Sequence, residues 1–343
     1  MNSRKRMIRS IEFIGPDRLP RIHSVWPKAR RKLGAAIDAL LDQYPDDVAG
    51  YFNRTVWNED NPFYEPGEFI DAWGCKWMND DSGHQGVCVE HPLEDWSKWP
   101  SFQLPALNGA QRARAVEDEI ATFGHEHYVL AGTSVPIFQK MINLRGWETV
   151  MIDLATGATE TMILRDAMLE WVLACLAPVL KTDCDGVGLS DDWGTQTALM
   201  ADPELWRRVF RPMYASIVES IRAAGKHAHF HSDGYTLAVI PDLIDIGLNV
   251  LNVEHPLIGE EAVGAVSRGK VCFRTYIDGQ HVLPYGTPDD VRVHVRQVVK
   301  YLSTPEGGII AYGEVAPDVP LENARAMYET FAECWPEFAG TDS

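Results

Sequence analysis

The chain has 343 residues, 45% of them hydrophobic and 10% aromatic, enough to bury the core of one large α/β domain or of two smaller ones. Its formal net charge of −18 excludes nucleic acid and an anionic membrane surface as partners, because both would repel it. There is no signal-peptide pattern and no apolar run of about 18 residues or more. The six cysteines are far apart, without a Cys-x-x-Cys pair. We therefore expect a cytoplasmic protein that acts on a small molecule and does not bind a membrane.

Residues 1–120 show little regular pattern. A helix is predicted near residues 28–43, and the tract that follows is rich in aromatic residues and proline, from Tyr51 and Trp57 through Trp99 to Pro105. We interpret residues 1–120 as an irregular N-terminal elaboration that covers the mouth of the next part of the chain. The tryptophans of this tract have two interpretations. The simpler one is that they belong to the hydrophobic core, and the alternative is that they line a ligand pocket.

Residues 121–343 repeat one pattern of amphipathic helix, turn, short apolar strand and polar cluster. The predicted strands cover residues 128–131, 186–190, 226–234, 250–253, 271–277 and 309–312. The predicted helices cover residues 161–180, 203–224, 237–246, 260–267, 288–302 and 321–334. Such alternation favours right-handed crossovers and a parallel sheet. We expect these residues to form the main part of a (β/α)8 TIM barrel, with the whole chain as one structural domain.

The strand ends favour the closed barrel over an open, doubly wound sheet. Each predicted strand is followed by polar residues, beginning with Thr133 and Ser134 after the first. In a barrel, the functional groups come from the carboxyl ends of many strands around a ring, whereas an open sheet binds at one crevice. No glycine-rich nucleotide signature follows any strand, which also weakens the open-sheet alternative.

Residues 226–234 carry the strongest functional signal. They read Lys-His-Ala-His-Phe-His-Ser-Asp-Gly, so His227, His229, His231 and Asp233 share one face of an extended strand. Imidazole and carboxylate bind first-row metals, and they also transfer protons, so His231 and Asp233 predict a metal site or a proton-transfer pair. His229 lies about 13 Å from Asp233 on such a strand, too far for one ion. Histidines that are merely hydrogen-bonded inside a polar barrel are the alternative, above all for His227 and His229.

The ends of the other predicted strands contain further candidate site residues, because the same alternation directs their side chains into the barrel. Glu314 is a candidate third metal ligand or an acid/base. The remaining catalytic candidates are Asp192, Tyr276 and Asp278. The substrate-binding candidates are Asp191, Glu254 and Gln280. A structural role remains open for several of them, since Asp191 could cap a helix and Glu254 could form a structural hydrogen bond.

The order of these motifs resembles the uroporphyrinogen decarboxylase-like superfamily, which includes decarboxylases and corrinoid-linked methyltransferases. The matching segments are residues 15–20 (Gly-Pro-Asp-Arg-Leu-Pro), 191–196 (Asp-Asp-Trp-Gly-Thr-Gln), 231–234 (His-Ser-Asp-Gly), 240–243, 276–280 (Tyr-Ile-Asp-Gly-Gln), 283–288, 307–310 and 317–324. The resemblance covers most of the chain and implies a (β/α)8 barrel and a homodimer. The arginine-rich N-terminal signature with which the decarboxylases hold their substrate's carboxylates is missing, so the methyltransferase branch is the closer one.

In that branch, the resemblance implies a zinc ion held by His-x-Cys and a later cysteine, and a methyl group carried by methylcobalamin on a partner protein. His231 matches the histidine, Asp233 stands in place of the first cysteine, and Glu314 lies next to the position of the second. This harder ligand set suits oxygen-bearing substrates better than thiols. We therefore expect a zinc-dependent O-demethylase that transfers a methyl group from a small methoxylated substrate to a corrinoid protein.

Two alternatives stay open. One is a decarboxylase that needs no metal and uses Asp192 or Asp278 to stabilise a protonated, pyrrole-like intermediate. The other is a binding protein that keeps the barrel without the chemistry. The density of ionisable residues at the strand ends argues against the second alternative.

Overall fold

The computed structural model describes residues 1–49, 63–80, 85–132 and 135–339. Tyr51, Trp57, Thr133 and Ser134 lie outside these ranges. The helices are α1 (Ser3–Ile11), α2 (Pro27–Leu33), α3 (Ala35–Gln43), α4 (Gly109–Phe123), α5 (Ile137–Arg145), α6 (Trp147–Thr156), α7 (Thr159–Val179), α8 (Pro203–Val209), α9 (Arg211–Ala223), α10 (Ile240–Asp245), α11 (His255–Ile258), α12 (Glu260–Ser267), α13 (Val282–Tyr285), α14 (Pro288–Leu302) and α15 (Leu321–Ala339). The strands are β1 (Ser24–Val25), β2 (Val48–Ala49), β3 (Gly67–Ile70), β4 (Lys76–Asn79), β5 (Val87–Glu90), β6 (Tyr128–Gly132), β7 (Gly186–Ser190), β8 (His227–Ser232), β9 (Val250–Val253), β10 (Cys272–Arg274), β11 (Ile309–Ile310) and β12 (Glu314–Val315).

A curled parallel sheet forms the centre of the fold. Its strands lie in the order β11-β10-β9-β8-β7-β6-β2, and β12 pairs in parallel with β1. A parallel bridge between Arg21 and Ala311 extends that second pairing. On the other side, the backbone N–H of Asp47 donates to the carbonyl oxygen of Arg21 over 3.0 Å. The segment around β1 thus closes the ring, and the predicted (β/α)8 barrel is confirmed.

The barrel begins earlier in the chain than the pattern indicated. β1 and β2 belong to the ring although both fall within residues 1–120, which we expected to form the elaboration. Each contains only two residues, too few to show the alternation that reveals a strand. The segment between β2 and α4 contains a separate antiparallel sheet of β3, β4 and β5, which does not belong to the barrel.

Two predicted helices are interrupted for local reasons. The helix expected over residues 28–43 is divided into α2 and α3 at Gly34, whose φ of +55° is not helical. The helix expected over residues 203–224 is divided into α8 and α9 at Phe210. Pro212 lies in the first turn of α9, where its missing N–H costs no helical hydrogen bond.

Helix α14 shows how the outer helices are specified. Thr287 and Asp290 form a capping box at its start, and Pro288 occupies its first turn. Val291, Val295, Val298, Val299 and Leu302 follow helical spacing and are buried. Within the described ranges, no helix is long and apolar enough to cross a membrane.

Candidate active site at the carboxyl end of the barrel

Strand β8 carries two pairs of polar side chains at opposite ends of one face. At its amino end, the hydroxyl group of Tyr128 lies 3.0 Å from Nδ1 of His227 and 2.9 Å from Nε2 of His229. Burial lowers the pKa of both histidines, that of His229 well below the usual value. These two rings are therefore neutral. They are hydrogen-bonded inside the barrel, which is the alternative to a metal site that the sequence left open for His227 and His229.

At the carboxyl end of β8, three side chains converge. Nε2 of His231 lies 3.5 Å from Oδ1 of Asp233 and 3.7 Å from Oδ1 of Asp192. The donor atoms of the three residues all lie within 4.8 Å of one another. His231 and Asp233 were predicted to meet here, whereas Asp192 was assigned a separate catalytic role. We call Asp192, His231 and Asp233 the acidic triad.

The two loops that carry the carboxylates of the acidic triad are clamped together. The backbone N–H of Asp233 donates to Oδ1 of Asp192 over 3.0 Å, and that of Gly194 donates to the carbonyl oxygen of Asp233 over 3.0 Å. Gly194 and Gly234 pack backbone against backbone, and a Cβ atom on either would lie 2.2 Å from the other. Glycine is therefore required at both positions, which fixes the separation of the two aspartates.

Asn252 fixes the tautomer of His231. Its Nδ2 group donates to the carbonyl oxygens of Arg274 (2.9 Å) and Thr275 (3.4 Å), so its Oδ1 atom must face the histidine. That oxygen lies 2.9 Å from Nδ1 of His231, which must therefore carry a proton and donate it. The other ring nitrogen, Nε2, is left to face the two carboxylates, either with a second proton or with a metal ion.

The charges at the carboxyl end of β8 oppose the effect of burial. Burial lowers the pKa of His231, but Asp233 and Asp192 outweigh it and raise that pKa to about 9. Burial and the charge of Asp233 raise the pKa of Asp192, despite the attraction of His231. For Asp233, the hydrogen bonds and charge of its neighbours outweigh burial, and its pKa is lowered. The acidic triad is thus a preformed site for one cation, which is either a proton or a metal ion.

The spacing of the donor atoms fits a zinc ion. With zinc–ligand distances of about 2.0–2.2 Å, tetrahedral ligands are separated by roughly 3.4 Å. The observed separations of 3.5 and 3.7 Å from the histidine nitrogen to the two carboxylate oxygens are close to this value. Three protein ligands leave the fourth position for a water molecule or a substrate, as in catalytic zinc sites.

A second polar layer borders the acidic triad. The hydroxyl group of Tyr276 donates to Oδ1 of Asp233 over 3.3 Å. Glu314, the predicted third ligand, lies outside the acidic triad: its carboxylate accepts from the hydroxyl group of Tyr312 (2.6 Å) and from Nε1 of Trp26 (3.3 Å). Burial and the charge of Asp233 raise the pKa of Glu314. Glu314 therefore interacts with the acidic triad without belonging to it, and an acid/base role for it stays a prediction.

One residue of the N-terminal segment interacts electrostatically with this layer. Burial, with a contribution from the charge of Glu314, raises the pKa of Tyr64 to about 12. Tyr64 precedes β3, in the part of the chain that we expected to cover the mouth of the barrel. That this part covers the mouth stays a prediction.

The substrate-binding candidates occupy different environments. Glu254 borders the site, where its Oε2 atom accepts the backbone N–H of Gly234 over 2.8 Å and its side chain interacts with Gln280. Asp191 is 1% exposed and accepts the backbone N–H groups of Phe138 and Gln139 at the start of α5, besides the hydroxyl group of Tyr214. Asp191 therefore caps a helix and holds the backbone next to Asp192, and a role for it in substrate binding stays a prediction.

Asp278 is also occupied by the backbone. Its Oδ1 atom accepts the N–H groups of Gln280 and His281, both over 2.8 Å, in a turn that Asp-Gly sequences commonly form. The structure does not bring Asp278 to the acidic triad. A catalytic role for it stays a prediction.

A buried pair of histidines holds the segment after β10. Nε2 of His255 accepts the backbone N–H of Tyr276 over 2.8 Å, and Nε2 of His294 accepts that of Asp278 over 3.2 Å. Oε1 of Glu260 lies 3.4 Å from Nδ1 of His255 and 3.9 Å from Nε2 of His294. Burial lowers the pKa of both histidines, which keeps Nε2 able to accept. These contacts fix the backbone that places Tyr276 against Asp233.

Two buried groups beneath the acidic triad, Asn252 and Arg274, were not among the candidates. Arg274 donates to Oδ1 of Asn252, and its guanidinium carbon lies 4.7 Å from the centre of the Tyr312 ring. The positive charge of Arg274 favours the ionised form of both Asp233 and Glu314, against the effect of burial. Asn252 lies two positions before Glu254, and Arg274 two before Tyr276. The alternation along these strands therefore directs both residues inward, but it does not show what they contact.

Comparison with known proteins shows the family to which the chain belongs. The sequence profile described as uroporphyrinogen decarboxylase (URO-D) matches residues 91–334, which include the acidic triad and the strands around it. The chain belongs to the URO-D family. Among the curated proteins, no sequence matches the chain. Membership of an enzyme family, together with the converging ionisable groups, identifies this end of the barrel as the candidate active site of a URO-D-like enzyme.

Solved structures support the fold. A methyltransferase from Methanosarcina mazei is similar at a TM-score of 0.71 with 14% sequence identity, covering 97% of this chain and 99% of that protein. At this identity the similarity shows the fold alone. A putative lyase/mutase from Burkholderia cenocepacia (TM-score 0.36, 12% identity, 99% of this chain and 90% of that one) and a 3-keto-D-glucoside 4-epimerase from E. coli (TM-score 0.37, 14% identity, 66% and 86%) are much less similar.

Proposed function

We propose that this URO-D family member is a zinc-dependent methyltransferase, which removes a methyl group from the oxygen of a small methoxylated molecule and delivers it to a corrinoid on a partner protein. The observation that carries the proposal is the acidic triad, in which the histidine nitrogen lies 3.5 and 3.7 Å from the two carboxylate oxygens and all three donor atoms lie within 4.8 Å of one another. One protein that shares this fold is a methyltransferase, so methyl transfer is a reaction that the fold can accommodate.

The ligand types favour an oxygen-bearing substrate. One imidazole and two carboxylates form a harder set than thiolates, so the set suits oxygen better than sulfur. Zinc bound by Asp192, His231 and Asp233 would supply Lewis acidity to the ether oxygen that leaves. The Nδ1–H group of His231, held by Asn252, keeps the opposite nitrogen directed at the site.

The chain also supplies a proton for the leaving oxygen. Methyl transfer to a corrinoid would break the carbon–oxygen bond and leave its electron pair on oxygen, and the resulting anion would need a proton. Burial raises the pKa of Glu314, which is partly exposed and interacts with both Asp233 and His231. We assign it as the proton donor, with Tyr312 and Trp26 holding its two carboxylate oxygens.

A metal-free decarboxylation is the rival within the same family. The imidazolium form of His231 between two carboxylates favours it, because the acidic triad holds a proton well without any metal. Asp192, Asp233, Glu254 and Glu314 nevertheless all lie at or beside the mouth, and a substrate rich in carboxylates would be repelled there. We therefore place this reaction second.

Metal analysis with a cobalamin assay tests the proposal. The full chain, purified under zinc-replete conditions, is analysed for metal and then mixed with cob(I)alamin and a methoxylated aromatic compound while the cobalamin absorption spectrum is recorded. We expect about one zinc per chain and formation of methylcobalamin. His231→Ala, Asp192→Asn and Asp233→Asn should lose both zinc and activity. His281→Ala and Asp289→Asn alter exposed residues of the same types and serve as matched controls.

The outcomes separate the rival reactions. Absence of stoichiometric zinc in the wild-type protein contradicts the proposal. Release of carbon dioxide from a carboxylated pyrrole compound by the zinc-free protein would establish the decarboxylase. Zinc bound with unchanged affinity by His231→Ala would mean that the metal lies elsewhere.

A further inference from the structure

A pair of cysteines lies away from the active site, in the small sheet that precedes α4. Cys75 directly precedes β4, and Cys88 lies in β5 opposite Trp77. The register of β4 and β5 shifts between Lys76 and Trp77, next to both cysteines. Cys75 is fully buried, whereas Cys88 is partly exposed. The buried thiol and the accessible thiol therefore meet at the border between this sheet and the barrel helices.

Both thiols converge on one carbonyl oxygen at the end of α5. The Sγ atom of Cys75 lies 3.3 Å and that of Cys88 3.5 Å from the carbonyl oxygen of Asn143. Nδ1 of His91 lies 2.8 Å from the same oxygen and 3.6 Å from Sγ of Cys88. Sγ of Cys88 also lies 3.6 Å from the carbonyl oxygen of Glu90. The two thiols are therefore not equivalent, and one of them loses its proton more readily.

The surroundings indicate which group that is. The interaction with Cys75 lowers the pKa of Cys88 to about 7; burial opposes this, and His91 adds to it. The same interaction, together with burial, raises the pKa of Cys75. The nearest charged groups, Asp71 and Lys140, lie 3.0 Å apart and largely compensate each other. Cys88 is thus the more nucleophilic and more accessible member of the pair.

We propose that Cys75 and Cys88 form a reversible redox couple, in which Cys88 is oxidised by a peroxide and Cys75 resolves the product as a disulfide. The Cys88 thiolate attacks a peroxide oxygen: a sulfur–oxygen bond forms, the oxygen–oxygen bond breaks, and hydroxide leaves. The Cys75 sulfur then attacks the sulfur of the resulting sulfenic acid and displaces water. In total, two thiols lose two electrons and two protons, and one hydrogen peroxide becomes two waters.

The backbone around Cys75 is held ready for the second step. Its N–H group donates to Oδ1 of Asp71 over 2.9 Å, and Oδ2 of Asp71 accepts from Nε1 of Trp77 (3.1 Å) and from Lys140 (3.0 Å). Cys75 is thereby fixed on the side facing Cys88. A purely structural function, in which the thiols only cap α5, would need neither the different exposure of the two thiols nor a lowered pKa on the exposed one.

Thiol mapping of the full-length protein tests the couple. The reduced protein is treated with hydrogen peroxide, its remaining thiols are alkylated under denaturing conditions, and the peptides are analysed by mass spectrometry. We expect two of the six thiols to disappear together, a peptide linked between Cys75 and Cys88, and recovery of both thiols with dithiothreitol. Cys75→Ser should leave a sulfenic acid on Cys88 that dimedone traps. Cys184→Ser, which removes a buried thiol elsewhere, should form the disulfide like the wild type.

Reactivity of the wild-type protein gives a readout that needs no variant. Iodoacetamide should alkylate Cys88 at pH 7 about tenfold faster than an ordinary cysteine, with a rate that rises through a midpoint near pH 7. His91→Ala should move that midpoint upward. Six intact thiols after peroxide treatment, or a midpoint at the ordinary cysteine value, would overturn the proposal.

Discussion

The two ends of strand β8 carry the same residue type on the same face and have opposite chemistry. At the amino end, His227 and His229 meet a neutral tyrosine hydroxyl group, and burial lowers their pKa values. At the carboxyl end, His231 meets two carboxylates, which raise its pKa to about 9 despite burial. The spacing of histidines along a strand therefore shows which face they share. Whether they can bind a cation depends on the side chains that the neighbouring segments place beside them.

The largest contrast should appear in metal binding. His231→Ala removes a ligand and should weaken zinc binding by more than about 100-fold, since even residues that only orient a ligand are worth about 10–100-fold. His229→Ala should leave the zinc affinity nearly unchanged, although the protein will be less stable. Competition with a zinc chelator measures both. Equal losses in the two variants would remove the distinction between the two ends.

Asn252 should have the next largest effect. Asn252→Ala removes the acceptor that holds Nδ1 of His231, so the ring is free to rotate or to change its tautomer. We expect a loss of about 10–100-fold in zinc affinity, with the metal still bound at saturation. The same chelator competition gives the affinity, and the melting temperature shows whether the loss merely reflects unfolding.

The pH dependence of zinc binding should also differ between the two ends. Below a pKa of about 9, Nε2 of His231 carries a proton that zinc must displace. Apparent zinc affinity should thus rise about tenfold per pH unit as the pH increases towards 9, and then level off. His227 and His229 are already neutral near pH 7 and should not contribute. Calorimetry in buffers of different ionisation enthalpy should show about one proton released per zinc at pH 7.

The smallest effect is expected at the amino end. Tyr128→Phe leaves two buried imidazoles without the hydroxyl group between them, which should reduce the free energy of unfolding by about 1–3 kcal/mol. Zinc affinity should stay within about twofold of the wild type. Urea denaturation and chelator competition on the same preparation check the two statements. A large loss of zinc would show that the two ends are coupled.

The sequence predicted those parts of the fold that repeat a strong pattern. β7 and β9 begin and end at the predicted residues, as does α14, because the two strands are apolar runs with clear ends and the helix is strongly amphipathic. Alternation in residues 226–234 placed the three histidines on one face, and position along the strand separated His227 and His229 from His231. What it missed depended on residues far apart in the chain. Strands β1 and β2 have two residues each and are defined by their neighbours in the ring.

The candidate site was predictable in its residue types more than in its grouping. Alternation brought Asp192 and Asp233 to the same end of the barrel, but their pairing depends on the backbone contact between Gly194 and Gly234. Asp278 and Glu314 shared the same alternation, yet neither joins the acidic triad. Asp278 accepts backbone N–H groups. Glu314 accepts from the side chains of Tyr312 and Trp26. Such competition for a carboxylate depends on distances that no spacing in the sequence reveals.

Anomalous X-ray diffraction at the zinc absorption edge, on crystals grown with zinc, tests the central claim most directly. We predict one strong peak about 2.0–2.2 Å from Nε2 of His231 and from a carboxylate oxygen of both Asp192 and Asp233. A peak at Cys75, Cys88 and His91, or no peak at the carboxyl end of β8, would contradict the account.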